Sequence, residues 1–297
     1  MSKITYYLVY IWFWLNSLLP FRLLYGVSDI FYFFLYRVAG YRKKVVRENL
    51  RNSFPDKTQK ELKEIERRYY HYLADYMMES MKMMRLTKEE MLKRMKFHGK
   101  DLYLRLIEEY GGIVVAMPHY GNFEWTLGMK ILMKPEDVAV QVYKPLRNKY
   151  LDKMFQNIRS RFGGYNVPKH SAVRETVRLK RDGKKMVLAL IADQAPSWSD
   201  VTYWTTFLHQ DTDFMNGSER FAKLLNFPMV YCDIKKTKRG YCEATFELMS
   251  DKPKDTADGE LTEMFVRRVE QTILRDPAYW LWSHKRWKHK REHAAEN

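Results

Sequence analysis

Apolar positions along this chain fall into three regimes. Ile4 to Leu19 is almost entirely apolar and aromatic, with Tyr6, Tyr7, Tyr10, Trp12, Phe13 and Trp14; after Pro20 and Arg22 a second apolar run extends from Leu23 to Tyr36, broken by Asp29. From 57 to 98 the pattern turns amphipathic and helical, with Leu62, Ile65, Tyr69, Leu73, Tyr76 and Met77 at mixed three- and four-residue spacing. Beyond that, helical stretches alternate with short apolar runs of strand length: Gly112–Met117, Val138–Val142, Lys185–Ile191, Met229–Ile234 and Cys242–Leu248. The alternation predicts an α/β fold, a mixed sheet flanked by helices.

Each N-terminal run is shorter than the roughly 20 residues that cross a bilayer upright. The apolar character persists past the point where a signal peptide would end, and no clear small-residue cleavage site appears. Arg37, Arg42, Lys43, Lys44 and Arg47 follow, which by the positive-inside rule keeps the globular part on the cytoplasmic side. Residues 1–40 therefore read as a membrane anchor, either one tilted span or two helices partly embedded in the inner leaflet. The alternative is a buried helical hairpin of a soluble protein; the density of Trp and Tyr favours an interface. Residues 41–297 form the second, globular domain.

The formal net charge of +16 over 297 residues implies an acidic partner: nucleic acid, anionic lipid or an acidic carrier protein. No nucleic-acid-binding motif appears, and the apolar N-terminus points away from that class. The C-terminal stretch from Asp276 to Lys288 interleaves Tyr279, Trp280, Trp282 and Trp287 with cations, a composition suited to a membrane interface or to base stacking. The two cysteines, Cys232 and Cys242, lack metal-ligand spacing and read as small apolar strand residues in a reducing compartment. The sequence holds no metal-ligand cluster, so neither a metal nor a cofactor is expected. Met77, Met78, Met81, Met83 and Met84 line either a helix core or an acyl-chain pocket, with core the favoured reading.

Candidate chemistry concentrates in Met117-Pro118-His119-Tyr120-Gly121-Asn122-Phe123-Glu124-Trp125. His119 stands at the end of a strand, where α/β sheets place their sites. On a continuous helix, positions five apart diverge by about 140°. With His119 in a loop and Asn122 capping the helix, Glu124 instead falls in the first turn and can fold back to fix the imidazole tautomer. The competing reading is a helix-capping turn with a satisfied histidine. Asp193-Gln194 follows a second strand, so the two polar clusters can face one cleft. Between them lie Tyr143-Lys144-Pro145 and a helix carrying Arg159 and Arg161, which is either a solvated face or a clamp for phosphate or carboxylate.

Taken in order, these motifs resemble the late acyltransferases of lipid A biosynthesis, the lauroyl/myristoyl acyltransferase family. The shared elements are the N-terminal membrane segment, His119…Glu124, Tyr143-Lys144-Pro145, the basic helix with Arg159 and Arg161, Asp193-Gln194, and Trp282-Ser283-His284-Lys285-Arg286-Trp287-Lys288. Lys144 stands where the family usually has arginine, and Phe207-Leu208-His209 where many members have Phe-Phe-Gly. Both departures touch the choice of acyl chain and acceptor rather than the reaction. The resemblance implies a glycerolipid-acyltransferase-like fold and an acyltransferase domain over 41–297 at the bacterial inner membrane. It implies transfer of a fatty acyl group from acyl carrier protein to a hydroxyl of a phosphorylated lipid A precursor. His119 would be the general base supported by Glu124, with Asn122, Tyr143, Lys144, Arg159, Arg161, Asp193 and Gln194 around the substrates. Backbone N–H groups near Gly121 and Asn122, or a basic side chain, would hold the oxyanion.

Overall fold

The structure, a computed structural model, describes residues 3–291. Helices α1 (Lys3–Leu18) and α2 (Phe21–Tyr32), the second running into a π-helical turn (Phe33–Val38), precede α3 (Lys43–Ser53), α4 (Gln59–Lys82) and α5 (Lys88–Arg94). There follow β1 (Met95–His98), α6 (Lys100–Tyr110), β2 (Gly112–Met117), a 3₁₀ helix (Phe123–Leu132), β3 (Val138–Tyr143) and α7 (Lys149–Arg159). Next come β4 (Gly164–Pro168), α8 (Ala172–Arg181) and β5 (Met186–Ile191). The antiparallel pair β6 (Tyr203–Phe207) and β7 (Gln210–Phe214), then α9 (Gly217–Leu225), β8 (Met229–Lys238), β9 (Tyr241–Ser250) and α10 (Glu260–Arg275), complete the order.

Seven strands form one sheet in the order β1-β9-β8-β2-β5-β3-β4. All neighbours are parallel except β8 and β9, which gives the mixed sheet that the alternating pattern predicts. β2 lies near the middle and is buried at every residue, because helices cover both faces of a parallel core. Its continuous apolar run is that burial written in sequence. Gly112 opens the strand where a Cβ would sit 2.5 Å from the Met186 carbonyl oxygen, so no larger residue fits. β1, β4 and the β6–β7 hairpin lie outside the five expected strands; β4 carries Gly, Asn and Pro, and β7 reads Gln-Asp-Thr-Asp-Phe.

α4 opens on a capping box: Glu61 N–H donates to Thr58 Oγ1 at 3.3 Å and Thr58 N–H to Glu61 Oε2 at 2.8 Å. Its buried face packs Tyr69, Tyr72 and Leu73 toward the sheet, and Met78 and Met81 against Leu24 of α2. At 1.5 Å per residue α1 is about 24 Å long, short of the roughly 30 Å hydrocarbon core of a bilayer. No helix among the described residues is long and apolar enough to cross a membrane. The N-terminal helices dock on α4 instead, while Leu8, Trp12, Leu15, Leu23, Ile30, Phe33 and Phe34 stay exposed on their outer side. Residues 1–2 and 292–297, the outer ends of the two expected segments, lie outside the described residues.

An ionic latch fastens α2. Arg239, in the turn between β8 and β9, donates to both Asp75 of α4 (Nη2–Oδ1 2.7 Å) and Asp29 of α2 (Nη2–Oδ1 2.6 Å). Ser28 Oγ donates to Asp75 Oδ1 at 2.6 Å, and His71 lies between the same two carboxylates. Burial alone would raise the Asp75 pKa, but hydrogen bonds from His71 and Arg239 outweigh it and hold the carboxyl at about 2 against an ordinary 3.8. Its folded-state pKa is thus depressed. The stability it contributes, about 2 kcal/mol, is full above pH 3.8 and is lost as pH falls through about 2. Arg239→Ala leaves Asp75 buried with fewer partners and should cost about 3 kcal/mol, with new proteolytic cleavage in the segment joining α2 to α3. Denaturant unfolding and limited proteolysis check this; a cleavage pattern and midpoint equal to wild type would refute the latch.

Candidate active site

β2 and β5 pair in parallel with Met117 opposite Ile191. Two residues beyond each strand end stand His119 and Asp193, so the register alone brings them face to face. His119 Nδ1 and Asp193 Oδ1 are 2.6 Å apart. Asp193 is fully buried, and its other oxygen accepts the His119 backbone N–H at 3.0 Å and the Trp280 indole N–H at 2.6 Å. Burial would raise the Asp193 pKa; the His119 charge and these hydrogen bonds outweigh it and hold the carboxyl below its usual range. An ionised carboxylate can only accept, so the Nδ1 proton belongs to His119. In the neutral ring Nε2 then carries the lone pair, and the His119 side chain is 24% exposed.

The loop that carries His119 is clamped on several sides. Gly121 adopts φ +55°, a left-handed conformation that glycine allows without strain. Its N–H donates to the Tyr279 carbonyl at 2.9 Å and its carbonyl accepts from Tyr72 Oη at 2.7 Å. Tyr120 bridges to Trp280 and donates its hydroxyl proton to the Asp276 carbonyl. Asn122 caps the 3₁₀ helix, accepting from Trp125 N–H at 3.2 Å, and donates from Nδ2 to buried Glu79 at 2.7 Å.

Four expectations are corrected by this geometry. Glu124 does not reach His119: it forms a two-point ion pair with Arg159, Oε1 to Nη2 2.8 Å and Oε2 to Nε 3.3 Å, and Asp193 takes the place on the imidazole. The reason is register, since the end of the neighbouring strand is nearer to Nδ1 than the first helical turn after the loop. Asn122, 2% exposed, has its amide committed to the cap and to Glu79 and is closed to substrate. The Gly121 N–H is spent on Tyr279 and that of Asn122 faces the Cys242 thiol, so neither amide is open for an oxyanion. Arg161 is turned to the Leu86 carbonyl at 2.7 Å, away from the clamp expected of it.

Tyr143, Lys144 and Arg159 do converge. A cavity of about 160 Å³ is lined by all three. Phe155 and Arg159 separate it from a second cavity, of about 220 Å³, walled by Phe13, Tyr76, Met77, Met81, Met83 and Ile158 with Glu124 at its edge. Tyr143 and Lys144 separate it from a third, of about 730 Å³. His119 lines none of the three; its ring packs edge-on against Phe123, which stacks on Tyr76 of the second. The methionines thus divide: Met78 is helix core, while Met77, Met81 and Met83 face a cavity. Gln194 is half-buried beside Asp193.

The closing segment holds the residues that sequence reasoning placed elsewhere. Trp280, Trp282 and Arg286 are fully buried, so the aromatic and cationic stretch is not an exposed belt for lipid or bases. Arg286 pairs with buried Asp213 at 3.2 Å, and burial lowers its pKa to about 10. Burial likewise lowers His284 to about 4, with the His119 charge adding to it; His284 is neutral and its Nδ1 has no partner. Cys232 and Cys242 lie buried in β8 and β9, as expected of apolar strand residues. Among the described residues no cluster of His, Cys, Asp or Glu could hold a metal ion.

Fold and site together define an α/β protein with a carboxylate–histidine pair at the carboxyl ends of its central parallel strands, beside apolar cavities with cationic walls. The model of the bacterial lipid A biosynthesis acyltransferase family matches residues 1–289, essentially the whole chain, and the chain belongs to that family. It is accordingly an enzyme that transfers acyl groups, with an acyl donor and a lipid acceptor as its substrates. No match is found among curated proteins.

Asp193→Asn should remove the charge that fixes the imidazole. Nitrogen NMR of selectively labelled His119 is expected to show the proton on Nδ1 in the wild type and a shift toward Nε2–H in the variant, with Trp280 still buried by fluorescence. An unchanged tautomer would mean that Asp193 does not set it.

Proposed function

We propose that this enzyme moves a fatty acyl group from acyl carrier protein to a hydroxyl of a lipid A precursor, with His119 as general base. The observation that carries the reading is the buried Asp193 on Nδ1, which leaves Nε2 as the free base at the carboxyl end of the central strands in a member of an acyltransferase family. Nε2 takes the proton of the acceptor hydroxyl as its oxygen attacks the thioester carbonyl carbon. The carbonyl π pair moves to oxygen, giving a tetrahedral oxyanion. Its collapse forms the new ester, breaks the C–S bond, and the imidazolium returns the proton to the leaving thiolate. Asp193 stays ionised and stabilises the imidazolium. No acyl-enzyme is needed. The cysteines are also poor nucleophiles, since burial pushes the Cys242 thiol up to about 12.

Glu124 acts in this scheme through Arg159. Burial disfavours the Arg159 charge, but the Glu124 carboxylate beside it raises its pKa and holds the guanidinium at the cleft. With the Gly121 and Asn122 amides committed, a basic side chain is the remaining source of a donor for the oxyanion, and Arg159 keeps Nη1 outside its two bonds to Glu124. The cavity walled by Met77, Met81 and Met83 suits the acyl chain, because thioether side chains adapt to a flexible alkyl group. The net charge of +16 draws an acidic carrier protein and phosphorylated lipid alike. Residues 1–40 hold the enzyme at the cytoplasmic face of the inner membrane by the outer faces of α1 and α2, lying in the interface rather than spanning it.

Labelled acyl–acyl carrier protein and acyl-CoA, each offered with a tetra-acylated lipid A precursor to detergent-solubilised protein, test the reaction. His119→Ala and Asp193→Asn should each lower turnover by about 10²–10⁴-fold, and Glu124→Gln should lower it less. Transfer by His119→Ala at the wild-type rate would overturn the mechanism, and preference for acyl-CoA would replace the donor. Membrane binding is tested separately. Trp12→Ser, Leu15→Ser, Phe33→Ser and Phe34→Ser together should release the protein from sedimenting anionic liposomes with its thermal midpoint kept. Full co-sedimentation of that variant would move the contact off these helices.

A further inference from the structure

The third cavity, about 730 Å³, is open at the carboxyl ends of β3 and β5 and reaches Ile191 and Ala192, next to Asp193. Its wall is apolar, built from residues such as Val142, Leu190 and Phe221, while its rim is cationic. α9 begins on this cavity. Its N-cap residue, Asn216, makes no side-chain cap hydrogen bond, and the amides of a first helical turn have no intrahelical acceptor. Ser218, in that turn, is 4% exposed, lines the cavity, and its hydroxyl has no hydrogen-bond partner. A buried hydroxyl left this way is destabilising unless a ligand supplies the missing partner.

The charges on the rim are not equivalent. Lys169 pairs with Asp200 at 2.7 Å, and Lys223 with Glu219 and Asp258, so these cations are already neutralised. Lys144 and Arg220 form no ion pair within 4 Å among the described residues, although Lys144 is near enough to Asp200 to help lower that carboxyl's pKa; Asp200 itself is bonded to Lys169. The hydroxyl, the helix amides, the ammonium and the guanidinium can all donate, and buried Asn216 Oδ1 on the same lining is an acceptor without a partner, so the group that fits has several oxygens, negative charge and a hydroxyl of its own to give, as a phosphate monoester does. The apolar wall requires that this group be attached to a hydrocarbon portion. Arg159, the other arginine on the cleft, is occupied by Glu124 and is not the anion's partner.

We propose that this cavity binds the phosphate-bearing end of an amphiphilic substrate, the phosphate at the first turn of α9 between Lys144 and Arg220 and the apolar portion along Val142, Leu190 and Phe221. The identity of that substrate rests on the acyl-transfer reading; the binding chemistry does not. Two substrates of that reaction carry such a phosphate: a phosphopantetheine thioester and a phosphorylated lipid.

Binding is measured first, without turnover, on the full chain in neutral detergent by calorimetric titration of dodecyl phosphate, dodecanol and inorganic phosphate. Dodecyl phosphate should bind at least about tenfold more tightly than either of the others. Arg220→Glu, at an exposed position, and the double variant Arg220→Glu with Ser218→Val should each weaken it by about tenfold at an unchanged thermal midpoint. Equal binding of dodecyl phosphate and dodecanol, or wild-type affinity in both variants, would overturn the site whatever the enzyme's reaction. Kinetics then separates the sources, comparing acyl-phosphopantetheine with acyl-pantetheine and phosphorylated with dephosphorylated acceptor lipid. A KM raised about tenfold in Arg220→Glu for the phosphorylated member of one pair alone assigns that substrate to the cavity. Equal KM changes in both members of both pairs would overturn the substrate assignment while leaving acyl transfer itself intact.

Discussion

The Asp193 carboxylate is the interaction on which the rest of this site depends. A fully buried carboxylate is costly unless each oxygen is satisfied, and here three donors do so: the His119 imidazole, the His119 amide and the Trp280 indole. The donors come from the end of β2 and from the closing segment of the chain, and the acceptor from the end of β5. One charge therefore fixes three regions relative to one another. It also fixes which nitrogen of His119 is free, so the requirement that the carboxylate be paired and the requirement that the imidazole be oriented are the same requirement.

That constraint explains why the closing segment is inside the molecule. Trp280 must reach Asp193, and the residues around it are fastened accordingly. Arg42 and Asn49 donate to the carbonyls of Ser283, Trp282 and His284, while Tyr69 accepts from the Ser283 amide. Trp282 packs against Phe54 and Trp280 against Phe207. Arg286 then enters the core and meets Asp213 of β7, an arrangement with little net gain over an apolar pair but a strong penalty for losing one partner. The small β6–β7 hairpin, outside the main sheet, thus holds the strap that holds Asp193. α3 and α4 hold it from the other side, and α4 is the same helix that receives α2. The N-terminal helices and the loop that carries His119 share one support.

Legibility in the sequence followed the range of the interaction. β2 was legible as a continuous apolar run because burial on both faces removes alternation, whereas β4 and β7, short and rich in Gly, Asn, Pro or Asp, carry no such signal. The placement of His119 and Asp193 at the ends of two strands was legible, and so was the possibility of one cleft. Their pairing was not, because it rests on a register, Met117 opposite Ile191, that no local spacing encodes. Glu124 looked like the partner because it is near in sequence; in the fold the 3₁₀ turn aims it at Arg159. The aromatic and basic end was misread for a different reason. Interleaved Trp and Arg suit a wet surface and a fully hydrogen-bonded core equally well, and only Asp213 and Asp193, distant in sequence, decide between them.

The apolar surface divides in a way that a two-substrate reaction requires. An enzyme joining one hydrocarbon-bearing group to another must bring two ends to one base while keeping their tails apart. Here Tyr143, Lys144 and Arg159 form a polar partition, with the methionine-walled cavity on one side and the wide cavity on the other. A partition built of apolar side chains would let either tail occupy either cavity. One built of a guanidinium held by Glu124 and an ammonium outside any close ion pair charges each crossing with desolvation. On the proposed reaction, the polar residues between the cavities do more than bind head groups: they make the two tail sites distinct, and the Glu124–Arg159 pair serves that separation even though it never touches His119.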